Sequence, residues 1–242
     1  MRRIDHRAGW QPGLRPVSWP PRTLLGMLDD AARDDLLSLG TAREYLPESV
    51  LILEGDSSTD VMALIDGWAK VVGSTEDGGQ ALLSLRIGGD LIGEQAALDG
   101  LPRSATVISA GVTVARVISQ RDFLAFLDRR PEAAVAVSRA LSGKLRWATR
   151  RRIDFSGLSV ATRLARVLSE LGRLYGRRSA AGIELMYTLT QPELAAMVGA
   201  SEPSVHKALR QLRIDGIVVT GYRQVVITDL AALDAIATSR SP

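Results

Sequence analysis

Apolar residues along this chain switch between helical and strand-like spacing, and each switch marks a different element. Leu24 to Leu39 has helical periodicity, with Asp29, Asp30, Asp34 and Asp35 left for the wet side and Gly40 as the stop. From Arg43 to about Ile118 the apolar runs shorten to strand length: Val50–Leu53, Val61–Ile65, Trp68–Val72, Ala81–Ile87, Ser104–Ile108 and Val112–Ile118. Glycine and aspartate turns such as Asp66-Gly67 and Gly88-Gly89-Asp90 separate them, which predicts antiparallel β structure in a sandwich or barrel. Only Glu94–Leu98 interrupts as a short helix. At Gln120 the helical period returns. Phe123, Leu124, Phe126 and Leu127 suit a short helix ending near Pro131, and Glu132 opens a long one reaching about Phe155. Along the long helix, Val135 precedes Leu141, Leu145 and Ala148, which recur at four- and three-residue steps. A helix of that length is not stable alone, so its stripe packs on the β domain or on a second copy of itself. A further helix is predicted from Val160 to Tyr175, through Leu164, Val167, Leu168 and Leu171.

The last sixty residues read as a nucleic-acid-binding head. Thr190-Gln191-Pro192-Glu193 has the spacing of a capping box, with proline where a first helical turn tolerates it. The helix it opens breaks at Gly199. Ser201 is the next N-cap candidate, and Val205, Ala208, Leu209 and Leu212 form the inner face of the helix that follows. Two helices across a short glycine turn make a helix-turn-helix. Its second helix turns Glu202, Ser204, His206, Lys207 and Arg210 outward, a face suited to base edges and phosphates. Ile217–Val219 and Val225–Ile227 then flank a hairpin tip carrying Arg223, which reads as a wing. An ordinary αα-hairpin in a helical core is the plainer alternative; the order cap, helix, glycine, helix, hairpin favours DNA. His206 is a phosphate or base contact or simply a solvated side chain, and it lacks the partners of a metal or haem ligand.

Composition narrows the function classes. The chain has 242 residues, 46% of them hydrophobic and 24% charged, enough for two domains with buried cores. It contains no cysteine and two histidines, which removes disulfides, thiolate zinc, Fe–S clusters and cysteine nucleophiles. No carboxylate pair or nucleophile–base set emerges, so an enzyme is the last reading. No apolar run approaches the ~18 residues of a membrane span. The basic N-terminus is followed by no apolar block, and a cytoplasmic protein is expected. The net charge of +3 conceals an asymmetry: Arg139 to Arg223 holds 15 Lys/Arg against 6 Asp/Glu. One end of the protein is built to meet a polyanion. Residues 1–22 carry four prolines and no periodicity and read as an irregular tail. The remainder divides into a β domain over 23–130, a long helix over 131–157 and the reading head over 158–242.

The stretch Gly93-Glu94-Gln95-Ala96 to Arg103-Ser104 carries the other candidate chemistry. A short helix opening at Gly93 offers free amides and a positive dipole end to an anion, and glycine lets a ligand come close. Arg103 can fork onto two phosphate oxygens, with Ser104 adding a donor. Glu94 repels phosphate and so suits a hydroxyl; the bland alternative is a surface salt bridge between Glu94 and Arg103.

This stretch resembles the phosphate-binding cassette of cyclic-nucleotide-binding domains, and Leu189–Ala195 with Val198–Ser201 is similar to a winged helix-turn-helix. Together, over about Leu24 to Ala237, they resemble the cyclic-AMP receptor protein and fumarate-nitrate reductase regulator (Crp/Fnr) family of bacterial transcription factors. The resemblance implies an α+β protein: an antiparallel, jelly-roll-like β-roll, a long dimerisation helix and a C-terminal winged helix-turn-helix. It implies a homodimer on palindromic double-stranded DNA, working with RNA polymerase and away from membranes. Gly93, Glu94, Gln95, Ala96, Arg103 and Ser104 would hold a cyclic nucleotide, with Glu94 on the ribose 2′-hydroxyl. Cyclic AMP stands ahead of cyclic GMP or another nucleotide. In cyclic-AMP-responsive members a Thr-Ser pair on the long helix receives the purine; Ala148 and Thr149 stand there, so Thr149 alone keeps a hydroxyl. On the DNA side the resemblance points to Thr190, Gln191, Ser201, Glu202, Ser204, His206, Lys207, Arg210 and Arg223. The frequent Arg-Glu pair after the serine is here Glu202-Pro203, and Lys207 stands where a contacting arginine often does. With no cysteine, and no haem-ligand histidine in the β domain, the iron and haem chemistry of some members has no ligands here. No metal is expected. A ligand-independent regulator with a vestigial pocket, and a nucleotide-sensing adaptor that binds a protein, remain the competing readings.

Overall fold

Asp29 breaks the first helix that the periodicity predicts as one. Its side chain accepts from the Ala32 amide at 2.7 Å, ending α1 (Leu24–Met27) and starting α2 (Asp30–Ser38). Short acidic side chains compete with the helix ladder for backbone amides in this way. The structure, a computed structural model, describes residues 19–74, 79–185, 189–221 and 224–239. Most of the irregular tail read over 1–22 lies outside them, but its end is pinned. The Trp19 indole donates to the Ile65 carbonyl at 2.9 Å, and Arg33 lies 5.8 Å from its ring centroid.

The strands that follow are β1 (Thr41–Tyr45), β2 (Val50–Ile52), β3 (Val61–Asp66), β4 (Trp68–Ser74), β5 (Gln80–Ile87) and β6 (Leu91–Ile92). After the short helix α3 (Glu94–Asp99) come β7 (Thr106–Ser109) and β8 (Thr113–Ile118). They form two antiparallel four-stranded sheets, β1-β8-β3-β6 and β2-β7-β4-β5. Leu51, Ile52, Met62, Leu64, Ala69, Ile92, Val107 and Ala115 pack between them. This is the β-roll. β1 escapes sequence reading because it is an edge strand of polar, mostly exposed residues, recognised only by its ladder to β8.

Helices α4 (Gln120–Arg129) and α5 (Pro131–Gly157) follow. The first two turns of α5 bury Ala133, Ala136 and Val137 in a cluster with Leu24, Leu25, Leu36, Phe123 and Phe126. Its other face is open: Val135, Leu145 and Ile153 are 50%, 69% and 63% exposed. Next come α6 (Val160–Tyr175), β9 (Gly176–Ser179), β10 (Gly182–Leu185), α7 (Gln191–Val198), α8 (Glu202–Ile214), β11 (Val218–Gly221), β12 (Gln224–Ile227) and α9 (Leu230–Thr238). The wing is larger than the two strands expected. β9 and β10 extend it to a four-stranded sheet, β11-β12-β10-β9. Arg177, Arg178 and Ser179 gave β9 no apolar signature, and its strand character comes from pairing with β10.

One apolar cluster joins the two ends of the molecule. Val72, Leu82 and Leu85 of β4 and β5 pack with Leu164, Leu168, Leu194, Met197, Val205 and Leu209 of α6, α7 and α8. No described helix is long and apolar enough to cross a membrane.

Candidate functional site

Gly93 begins the first candidate site. It precedes α3 with φ +79°, and a Cβ there would lie 2.6 Å from Arg103 Nη1 and 2.8 Å from the Asp60 carbonyl oxygen. Both the turn and the close approach require glycine. Arg103 is 5% exposed. Its Nε donates to Ser58 Oγ (3.2 Å), Nη1 to the Gly93 carbonyl (2.9 Å) and Nη2 to the Asp60 carbonyl (2.6 Å). Burial lowers its pKa, while Asp60, Asp56 and Glu94 oppose the shift. Of five guanidinium donors, three are spent on the protein and two remain. Ser104 Oγ donates to Gln95 Oε1 at 2.8 Å, bracing the first turn of α3 against the strand-side loop.

Glu94 does not pair with Arg103. It is 5% exposed, and its Oε1 accepts from Lys144 Nζ on α5 at 2.8 Å; Lys144 also donates to the Leu91 carbonyl at 3.0 Å. Burial pushes the Lys144 ammonium below its ordinary value, and Glu94 holds it up. The surface salt bridge considered from sequence is therefore replaced by a half-buried one that ties α3 to the long helix. Thr149 lies exposed on α5. Five residues separate it from Lys144, about 140° around the axis, so the two do not share a face.

The second site is the head. The capping box at Thr190 is complete: its amide donates to Glu193 Oε2 at 2.7 Å and its hydroxyl accepts from the Glu193 amide at 3.3 Å. Gly199, at φ +64°, turns the chain under Phe155 of α5, and a Cβ there would sit 1.5 Å from the ring. Arg163 donates to the Val198 and Gly199 carbonyls, at 3.2 and 2.8 Å, and closes the end of α7. α8 buries Val205, Ala208, Leu209 and Leu212 and exposes Glu202, Ser204, His206, Lys207 and Arg210, as its periodicity predicts. Ser201 stands at the N-cap without making the cap hydrogen bond; its hydroxyl shares a 2.9 Å bond with Ser204 instead.

A family model for cyclic nucleotide-binding domains matches residues 42–130, and one for Crp-like helix-turn-helix domains matches residues 162–236. The chain belongs to the Crp/Fnr family. It is a DNA-binding transcriptional regulator with a cyclic-nucleotide-binding domain. A CRP-like cAMP-activated global transcriptional regulator of Mycobacterium tuberculosis is 29% identical over 178 residues, 73% of this chain and 79% of that protein. The HTH-type transcriptional regulator Cmr of the same organism is 28% identical over 253 aligned residues, 98% of this chain and 96% of its own length. A solved CRP-family transcriptional regulator from Thermus thermophilus superposes with a TM-score of 0.68 at 27% identity, covering 82% of this chain and 97% of that one.

In this Crp/Fnr protein the structure brings Gly93, Glu94, Gln95, Ala96, Arg103 and Ser104 together and leaves Thr149 apart on α5. Gln191 is exposed at the start of α7, with Thr190 half-buried behind it. Arg223 lies outside the described residues. Sequence reading missed Ser58, Asp60 and Lys144. Lys144 carried a signal all the same, as a lone lysine on the face of α5 that continues the buried Ala133, Ala136 and Val137.

It also missed Lys70 of β4, which forms an ion pair with Glu193. Burial raises the Glu193 pKa, but hydrogen bonds from Lys70 and Thr190 outweigh it and hold the carboxyl below its ordinary 4.5. A carboxyl depressed by folding stabilises fully above its unfolded value and loses that contribution as pH falls through the folded one. Stability measured by denaturant titration from neutral into acid should drop below about pH 4.5, and Glu193→Gln should flatten that drop.

Proposed function

We propose that this regulator is a homodimer whose DNA binding is controlled by a cyclic nucleotide, cyclic AMP first, held between the α3 cassette and α5. The observation that carries the reading is the Glu94–Lys144 pair, which links the cassette's first helical residue to the long helix at 2.8 Å. A ribose hydroxyl arriving at Glu94 competes with Lys144 for the same carboxylate, so ligand arrival is felt on α5. Two remaining Arg103 donors and the α3 amides supply groups for a cyclic phosphate, and Ser104 joins them when its hydroxyl turns from Gln95 to the ligand. Thr149, exposed on the far side of α5, is available to a nucleotide bound by the partner protomer. The division at 130 and 157 follows these roles, with RNA polymerase as the onward partner at a promoter. The name of the mycobacterial relative, cAMP-activated, agrees with this choice of effector.

One observation favours a second reading, a ligand-independent regulator of the same fold. Every nitrogen of the Arg103 guanidinium already has a protein acceptor. Calorimetric titration with cyclic AMP and cyclic GMP decides between them. Saturable binding that Arg103→Lys weakens by about 30-fold or more, the equivalent of ~2 kcal/mol, supports the effector reading. Lysine keeps the charge but loses the fork. Absence of binding by either nucleotide removes it.

Two further outcomes follow from the exposed faces. Leu145, 69% exposed on α5, belongs at the two-fold helix contact. Leu145→Glu should shift sedimentation from dimer to monomer at micromolar concentrations, since each protomer then turns a charge toward its mate. A dimer that survives this substitution pairs elsewhere. On α8, Ser204 and Lys207 stand near the helix start that enters a major groove, with half-sites about 34 Å apart. Lys207→Ala should relax preference at one base pair per half-site, costing about 1–3 kcal/mol on the best site, as read by selection from random DNA. Retention of the parent motif would assign Lys207 to phosphate instead.

A further inference from the structure

The reading head does not hang from α5 by its hinge alone. Both ends of α7, the first helix of the helix-turn-helix, are held by cations from outside the head. At its N-terminal end Lys70 of β4 pairs with Glu193, with the two side chains only 15% and 22% exposed. At its C-terminal end Arg151 of α5 donates through Nη2 to the Met197 carbonyl and through Nη1 to the Leu83 carbonyl of β5, at 2.7 Å. That guanidinium stacks 4.5 Å from the Trp147 centroid, one turn earlier on α5. Between the two cations, Leu194 and Met197 are packed against Leu82 and Leu85.

The two cations do different work. Glu193 already serves the capping box through Oε2 and gives Oε1 to Lys70, so the acid that orders the head also joins it to the β-roll. Arg151 bridges two backbone carbonyls in different parts of the molecule, and a planar fork suits that task where lysine does not. Carbonyls at a helix C-terminus carry partial negative charge and favour a cation. Neither contact lies within the head's own core, nor within the β-roll's.

We propose that Lys70 and Arg151 form a two-point clasp fixing the head on the β4–β5 face of the β-roll of the same chain. The direction in which α8 points is then set by that face, and opening the clasp frees the head without unfolding it. The clasp goes beyond effector identity and DNA sequence, and it can be read without nucleotide or DNA, so its failure is distinguishable from failure of the proposed function.

The chain has no cysteine, so nitroxide labels at Arg43→Cys on β1 and Gln211→Cys on α8, both exposed, report the roll-to-head distance by pulsed electron paramagnetic resonance. Labelled chain is diluted in unlabelled chain so that only intrachain distances count. The parent should give one narrow distance. Glu193→Gln keeps the capping hydrogen bonds but loses the charge, and should add a longer component; Lys70→Met with Arg151→Met should make it dominant. Hydrogen exchange of the α7 amides should quicken about tenfold or more, the factor for one lost charge-assisted hydrogen bond. Lys70→Arg should restore the narrow distance. A narrow distance that persists in folded Glu193→Gln and folded Lys70→Met overturns the clasp, and so does a broad distribution in the parent. Should the double variant not fold, Arg151→Lys reads the C-terminal point alone, and an unchanged distance there removes Arg151 from the clasp.

Discussion

A helix of 27 residues presents more surface than one β-roll can cover, and the rest of this molecule is arranged around that constraint. The first turns of α5 bury Ala133, Ala136 and Val137 against α1, α2 and α4. Its middle offers Lys144 to the cassette, and its end meets the head through Arg151, Asp154 and Phe155. What remains is a face with Val135, Leu145 and Ile153 in water. An isolated helix gains little from propensity, so its stability has to come from these separate neighbours. These neighbours belong to the β domain, including its cassette, and to the head, so α5 touches every functional part of the chain.

Polar contacts along α5 favour one arrangement more than they add stability. Taking Lys144 and Glu94 out of water costs several kcal/mol per ion in general, and their attraction returns that only with good geometry. An apolar pair of the same size would pack at no such cost. What the ion pair adds is direction: Lys144 bonds both Glu94 and the Leu91 carbonyl in this register of α5 on the roll. Arg103 follows the same logic inside the cassette, drawing Ser58, Gly93 and Asp60 into one cluster.

Legibility in the sequence tracked how local each cause was. The capping box at Thr190, the turn at Gly199, the inner face of α8 and the cassette's Gly93 are written in neighbouring residues and could be read there. β1 and β9 could not, because polar edge strands exist through their ladders and their residues carry no periodicity of their own. α9 was missed for a different reason. Asp229 caps it and Leu233 is fully buried, but the run is only nine residues long and rich in alanine, which leaves little contrast between its apolar and polar faces. The pairs Glu94–Lys144 and Lys70–Glu193 span 50 and 123 positions. Spacing along a chain says nothing about partners that distant.

Register along α5 gives the molecule a common ruler. Lys144 and Arg151 are seven residues apart, about two turns and ~10 Å on one face of the helix. Trp147 lies between them and donates to Glu170 of α6 at 2.8 Å. The cassette contact and the head contact therefore sit on the same stripe, and neither can shift along the axis without the other. A ligand changes such an equilibrium only by the difference in its affinity for the two arrangements. The Glu94 carboxylate, whose Oε1 accepts from the α5 ammonium, is the point on the cassette where such a difference would be felt by α5. Lys144 on Glu94 and Arg151 on Leu83 and Met197 are both contacts of this one helix face. A stiff helix with two contacts on one stripe thus places the cassette contact and one of the head contacts on a single rigid element, beside the direct packing of head on roll.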